Sequence, residues 1–581
     1  MKKISVFVAK TGLKTQLTAA YRYKMIKLTK ETIFKILILS IFLLALFLRV
    51  YQLNKYSVGF LWDEAALGYN AYSILKTGRD EYGVWFPLIF KSFGDYKPGF
   101  YIYLTVPSVA IFGLNEFSVR LPSAIFGGLT VLFLYFLLRR NSSDKLALLA
   151  AALLMINPWH LSFSRGAWEL NLMTFEIVFG LWLAVKAIKS KSRYFYFSVL
   201  FFILALFTYQ SAKLLAPALI LGFAFFYRRE LKTVPSQPKI IFGVSFLLVF
   251  LFFNFLTVAG GRAGRLKVMS ILSYSRPKEE RLEIQAQDNG STLDWLVFHE
   301  SPIFFARSIL GRYFNHFSGK FLFFSGDWSN LRNGVAYHGL FYFIDLIFLV
   351  WGLGFILGKK RSPLENFMLF WLLLAPLPSA VTRDSVSSVR SFTMVIPLVF
   401  IIAAGMESCL SFFATKNKYF KTGGYLFLIV SYLFLFCRLV DYYFVHDPIY
   451  SAKDRLFGYK EAVRTISEEG REKDKIVMTV KYGQPYIFYL FYTQYDPAQY
   501  QKQAHLVENV NGDVGNVEKI DNLEFRDIYW PSDRGIKNSL FVGDEFSLPI
   551  GDLLGRENQF AIAREIKYPN GDLVFRIVET N

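Results

Sequence analysis

Gly59-Phe60-Leu61-Trp62-Asp63-Glu64-Ala65 follows closely on the first long apolar run of the chain, Ile33 to about Leu53. Two acids therefore stand just past a segment long enough to cross a bilayer, for which about 20 mostly apolar residues suffice. The polar stretch continues to Asp95-Tyr96-Lys97-Pro98-Gly99. The run 33–53 is longer than a signal-peptide core and has no small-residue cleavage site. It reads as an uncleaved signal anchor. Basic residues from Lys2 to Lys35 flank it, against one acid, Glu31, which predicts a cytoplasmic N-terminus.

Working outward, further apolar runs fall at 119–138, 145–160, 171–188, 194–209, 212–227, 240–258, 338–357, 364–379, 391–412 and 423–443. The 581 residues are 54% hydrophobic and only 19% charged, below the roughly 25% charge of soluble domains. The formal charge of +20 does not mark a nucleic-acid binder. The basic residues cluster in short segments between apolar runs, and no basic face with interleaved aromatics stands out. With the N-terminus inside, the loops holding Arg139-Arg140, Lys186 to Arg193, Arg228 to Lys239, Lys359-Lys360-Arg361 and Lys416 to Lys421 are all cytoplasmic. Every one is basic, as the positive-inside rule requires. This works only if Phe100–Gly113 does not cross, so that stretch is expected to lie on or dip into the outer leaflet. The fold class that follows is a polytopic α-helical membrane protein with about eleven transmembrane helices and a small C-terminal α/β extracytoplasmic domain. Its parts are a basic cytoplasmic N-terminus (1–32), a membrane domain (33–443) with external loops at 54–118 and 259–337, and the external domain (444–581). The large loop carries Arg262, Arg265 and Gly326-Asp327-Trp328. In the tail, Leu456–Glu469 has helical spacing, and Lys475–Val480 and Ser539–Val542 read as strands. Pro569-Asn570-Gly571-Asp572 reads as a hairpin turn of type I′.

On this topology the chemistry gathers on one face. Asp63, Glu64 and Glu169 are candidates for general-base work. Lys97, Arg165, Arg383 and Arg390 are candidates for neutralising a phosphate, arginine as a bidentate fork and lysine as a point charge. Arg120 falls on the same face, and Tyr96 adjoins Lys97 in sequence. A carboxylate base with a cationic clamp suits transfer from a phosphate-activated donor to a hydroxyl. No nucleotide-binding fingerprint is present. Cys409 and Cys437 fall in apolar runs, and no metal-ligand spacing appears. No cofactor is assigned, and a divalent metal has no support in the sequence.

The stretches Gly59–Ala65, Tyr96–Tyr101, Phe112–Ala124, Phe163–Glu169 and Pro376–Arg390 resemble the GT-C glycosyltransferases. The nearest branch is glycosyltransferase family 39, which includes protein O-mannosyltransferases and lipid A aminoarabinose transferases. The resemblance covers about residues 30–440. It implies an inverting enzyme using a polyprenyl-phosphate-linked sugar, with a protein, lipid or envelope-glycan acceptor. It places the family's first-loop acid at Asp63, its phosphate-holding lysine at Lys97 and a second-turn acid at Glu169. The chain departs from the family at Pro98-Gly99, where many relatives have two prolines. It departs again at Glu169, where Asp is frequent, and at Ser388-Val389, where His-Ala often precedes the arginine. The implied setting is the cell membrane. Competing readings are a lipid-linked saccharide flippase and a non-catalytic envelope scaffold. The half-to-half repeats of transporters are not found. The topology predicts that single cysteines at Asn115 and Asn570 label from outside and those at Ser142 and Arg361 do not. Labelling at Ser142 from outside alone reverses the map.

Overall fold

The computed structural model describes residues 31–190, 192–259, 270–271, 275–287, 301–415, 418–507 and 515–581. The basic N-terminus before residue 31, Lys191, Arg262, Arg265 and Lys416 lie outside the described residues.

Six described helices are long and apolar enough to cross a bilayer: Glu31–Val50, Glu116–Arg139, Glu169–Lys189, Ser236–Val258, Phe392–Ala414 and Thr422–Tyr450. The chain is a multi-pass membrane protein. The first and last of these are only 17% buried, so their apolar side chains face outward, as lipid-facing helices must. Four apolar helices are shorter: Phe100–Phe112, Tyr194–Thr208, Ala212–Phe226 and Asp345–Leu357. Two runs expected as single spans divide. The run 145–160 forms Asp144–Ile156, then a new helix Pro158–Phe163 opened by Pro158 and capped by Asn157, whose side chain accepts from His160 N at 2.9 Å. The run 364–379 forms Pro363–Leu374 and then Leu377–Ala380 around Pro376 and Pro378. Proline removes a helix donor and clashes with the preceding turn, so each run gives two helices.

The stretch 54–118 is built rather than loose. Helix Trp62–Thr77 ends at Gly78 in the left-handed region. An antiparallel hairpin follows, Ile89–Ser92 with Asp95–Pro98, closed by the two-residue turn Phe93-Gly94. Both turn residues have positive φ, 54° and 86°, the type I′ geometry that matches strand twist. Helix Phe100–Phe112 has 13 residues, about 20 Å at 1.5 Å each, short of a 30 Å hydrocarbon core. It packs on Trp62–Thr77 and Glu116–Arg139.

The C-terminal region carries a six-stranded mixed sheet. Its order is Lys519–Ile520, Leu523–Phe525, Lys475–Met478, Ser539–Gly543, Leu573–Thr580, Phe560–Lys567. Lys475–Met478 runs parallel to both of its neighbours, and the other pairs are antiparallel. The last hairpin forms where Asn570-Gly571 stands, but not as type I′. Gly571 alone has positive φ, 93°, and its N–H bonds back to Tyr568 O. Helix Tyr459–Glu469 buries Tyr459, Ala462, Val463 and Ile466. Leu456, expected on that face, precedes the helix with φ 58°.

The first loop and this region share one apolar core. Phe60 meets Phe491 at 4.8 Å between ring centroids, and Tyr69 meets Tyr500 at 6.1 Å. Phe491 is 1% exposed. Phe491→Ala is expected to cost about 3–5 kcal/mol, read as a lower melting midpoint with faster proteolysis between residues 60 and 100. An unchanged midpoint contradicts the shared core.

Candidate active site

The site is built on a buried ion pair. Glu64, in the first turn of helix Trp62–Thr77, accepts from Arg120 Nε at 2.9 Å and Nη2 at 3.0 Å. It also accepts from Leu61 N at 3.2 Å and Ala167 N at 2.9 Å. Arg120 donates further to the carbonyls of Leu53, Ser57 and Gly59. Burial alone raises the Glu64 pKa, but the Arg120 charge and the four hydrogen bonds outweigh it and hold the carboxyl below the usual glutamate range. These contacts gather the exit of the first span, helix Trp62–Thr77, helix Glu116–Arg139 and the 163–169 turn at one point.

Asp63, one residue before Glu64, is turned toward a cavity of about 190 Å³. Asp63, Glu64, Lys97, Glu169, Arg383 and Arg390 all line it. Lys97 reaches it from the second hairpin strand, where it stands opposite Phe90, and its Nζ pairs with Asp63 Oδ1. Glu169 opens helix Glu169–Lys189, where a carboxylate suits the positive end of the helix dipole. Arg390 pairs with Asp384 and donates to Thr382 Oγ1 at 3.3 Å.

Three residues singled out from sequence lie elsewhere. Arg165 is 1% exposed and donates to Leu48 O at 2.7 Å, Arg49 O at 3.4 Å, Tyr56 O at 3.0 Å and Tyr443 Oη at 3.0 Å. It caps the carbonyls at the end of the first span, which have no helical partners, and is absent from the cavity wall. Arg120 reaches the site only through Glu64. Tyr96 lies on the hairpin with its backbone oxygen accepting from Gln210 Nε2 at 3.0 Å.

Other cavity residues were given no role from the sequence, although Asp327 stands in the Gly326-Asp327-Trp328 stretch noted there. The loop 327–333 supplies Asp327, Ser329, Asn330, Arg332 and Asn333. Asp327 organises this loop, accepting from Ser388 N at 2.8 Å, Ser388 Oγ at 2.9 Å and Asn333 Nδ2 at 3.3 Å. Burial pushes its carboxyl up, against those bonds. Arg332 has no carboxylate partner among the described residues, and its Nε is buried without a hydrogen bond.

Residues 96–256, about a quarter of the chain, match the family described as dolichyl-phosphate-mannose-protein mannosyltransferase. The crystal structure of ArnT from Cupriavidus metallidurans bound to undecaprenyl phosphate superposes with a TM-score of 0.50 at 12% identity, over 95% of this chain and 98% of that one. The chain shares the fold of that structure. The archaeal oligosaccharyltransferase AglB from Archaeoglobus fulgidus, in complex with an inhibitory peptide and a dolichol-phosphate, gives 0.49 at 14% identity. The match takes in 80% of this chain and spans 64% of that enzyme. No curated protein matches the chain.

Glu64→Gln leaves Arg120 buried with the charge of its carboxylate partner gone and is expected to cost about 3–5 kcal/mol at neutral pH. The folded Glu64 pKa is depressed, so its contribution is full above the unfolded value of about 4.3 and is lost as pH falls through the folded value. The gap in melting midpoint between wild type and Glu64→Gln should therefore be widest near pH 7 and close toward acid. A gap that widens toward acid contradicts the assignment.

Proposed function

We propose that this chain is an inverting glycosyltransferase that moves a sugar from a polyprenyl-phosphate-linked donor to a hydroxyl acceptor at the external face of the cell membrane. The observation that carries the reading is one cavity lined by the carboxylate Asp63 and by four cations, Lys97, Arg332, Arg383 and Arg390. In this reading Asp63 takes the proton of the acceptor hydroxyl. The oxygen attacks the anomeric carbon from the face opposite the phosphate, the carbon–oxygen bond to phosphate breaks, and the phosphate leaves with the electron pair. Preorganised cations where charge develops are the largest aid to such a step.

Lys97 is paired with Asp63. A donor phosphate competes for that ammonium, and as Lys97 turns to it the Asp63 oxygen is released to act as base. Donor binding thus arms the base. Glu64, with all its hydrogen-bond positions used, serves as the anchor rather than a second base, and Arg165 serves as the cap of the first span. Glu169 stands across the cavity as a second carboxylate for orienting the acceptor. We place the C-terminal region outside the membrane and count eleven crossings, the short helices being completed by the segments at 158–163 and 377–380. The acceptor class is a hydroxyl on protein, lipid or envelope glycan.

Asp63→Asn keeps shape and removes the base, so turnover with a lipid-phosphate sugar should fall by about 10²–10⁴-fold while donor binding persists. Lys97→Ala and Arg383→Ala each remove a charge-assisted phosphate contact and should raise the donor KM by about tenfold to a hundredfold. Full turnover in Asp63→Asn, or unaltered donor kinetics in both cation variants, overturns the reading.

A further inference from the structure

A turn of the C-terminal region packs against Trp62, the residue before Asp63. Lys481 Nζ bonds Asp544 Oδ2 at 3.3 Å and Ser547 Oγ at 3.1 Å, and Gln484 Nε2 donates to Asn516 Oδ1 at 2.9 Å. The turn at 482–483 is thereby held on both sides. At its tip Gly483 has φ +114° and approaches Trp62 so closely that a Cβ there would lie 2.4 Å from the benzo ring. Any side chain at 483 meets both a strained backbone and an occupied space. On the same indole, the Arg332 guanidinium carbon stands 5.4 Å from the ring centroid. Trp62 immediately precedes Asp63, and Arg332 lines the cavity.

Lys97 and Arg390 are each held by a carboxylate, Asp63 and Asp384. Arg332 is held instead by an aromatic face. A guanidinium over an indole keeps its charge and its outward N–H groups uncommitted while losing conformational freedom beforehand. It can bind an anion without first breaking an ion pair.

We propose that Trp62 is a positioning residue for the donor phosphate: seated against Gly483, it carries Arg332 over the cavity beside Asp63. The C-terminal region then sets the donor side of the site. This rests on the donor reading above. The measurement is binding of farnesyl phosphate, a short prenyl phosphate, to the full chain in detergent, with melting midpoints followed in parallel. Arg332→Ala should weaken binding by about tenfold or more. Trp62→Leu should weaken it nearly as much, and the double variant should be no weaker than Arg332→Ala alone, because the tryptophan acts only through the arginine. Trp62→Phe, which keeps an aromatic face, should stay within roughly threefold of wild type. Trp62→Met replaces Trp62→Leu if the latter fails to fold. Losses that multiply in the double variant, or equal losses in Trp62→Phe and Trp62→Leu, overturn the proposal. Asp63→Asn separates it from the transferase reading: lost sugar transfer with intact farnesyl phosphate binding upholds that reading whatever Trp62 does. If no form of the protein binds the prenyl phosphate, the donor reading falls and this assignment with it.

Discussion

The buried pair of Glu64 and Arg120 is the constraint on which the site depends. Burying two charges is expensive, and such a pair holds only when the remaining donors and acceptors are also satisfied. Here they are: Glu64 accepts from four N–H groups, and Arg120 donates to three backbone carbonyls besides. Those partners come from segments far apart in sequence, 53–61, 116–139 and 163–169. The consequence is positional. Once Glu64 is fixed inward, Asp63 is presented to the cavity, and Ala167 is held so that Glu169 starts its helix on the same wall.

Burial divides the arginines by role. Arg120 and Arg165 are each 1% exposed and spend their N–H groups on carbonyls and, for Arg120, on Glu64. They assemble the scaffold. Two of the cavity cations, Lys97 and Arg390, are offset by Asp63 and Asp384, so a bound phosphate gains charge neutralisation there by exchanging partners rather than by meeting bare positive charge. Exchange lowers the net gain of each contact. Arg332, resting on Trp62, is spared that exchange, and so the link from the C-terminal sheet through Gly483 bears on the chemistry.

Much of the architecture was legible in sequence because it follows from long, simple signals. Apolar runs and basic loops need only composition over 15–20 residues, and the Asp63 and Lys97 positions stood in recognisable motifs. What was hidden depended on local exceptions or on distance. The hairpin carrying Lys97 turns on Phe93-Gly94, and a phenylalanine at φ 54° is not a residue that announces a type I′ turn. Asn570-Gly571 announced that turn, yet Asn570 kept a negative φ there. Prolines 158, 376 and 378 divided apolar runs whose hydropathy is continuous. Arg332 had no motif, since its role comes from an indole 270 residues earlier. Arg165 read as a clamp residue from its place on the predicted external face, while its partners include the carbonyls at the end of the first span.

The most direct test is a structure of the full chain with a polyprenyl-phosphate sugar bound. The account places the phosphate within hydrogen-bond reach of Lys97 and Arg332, beside Arg383 and Arg390, with Lys97 turned away from Asp63 and the Asp63 carboxylate facing the anomeric carbon on the side opposite the phosphate. A phosphate seated instead against Arg165, or an unbroken Lys97–Asp63 pair with the sugar remote from Asp63, contradicts it.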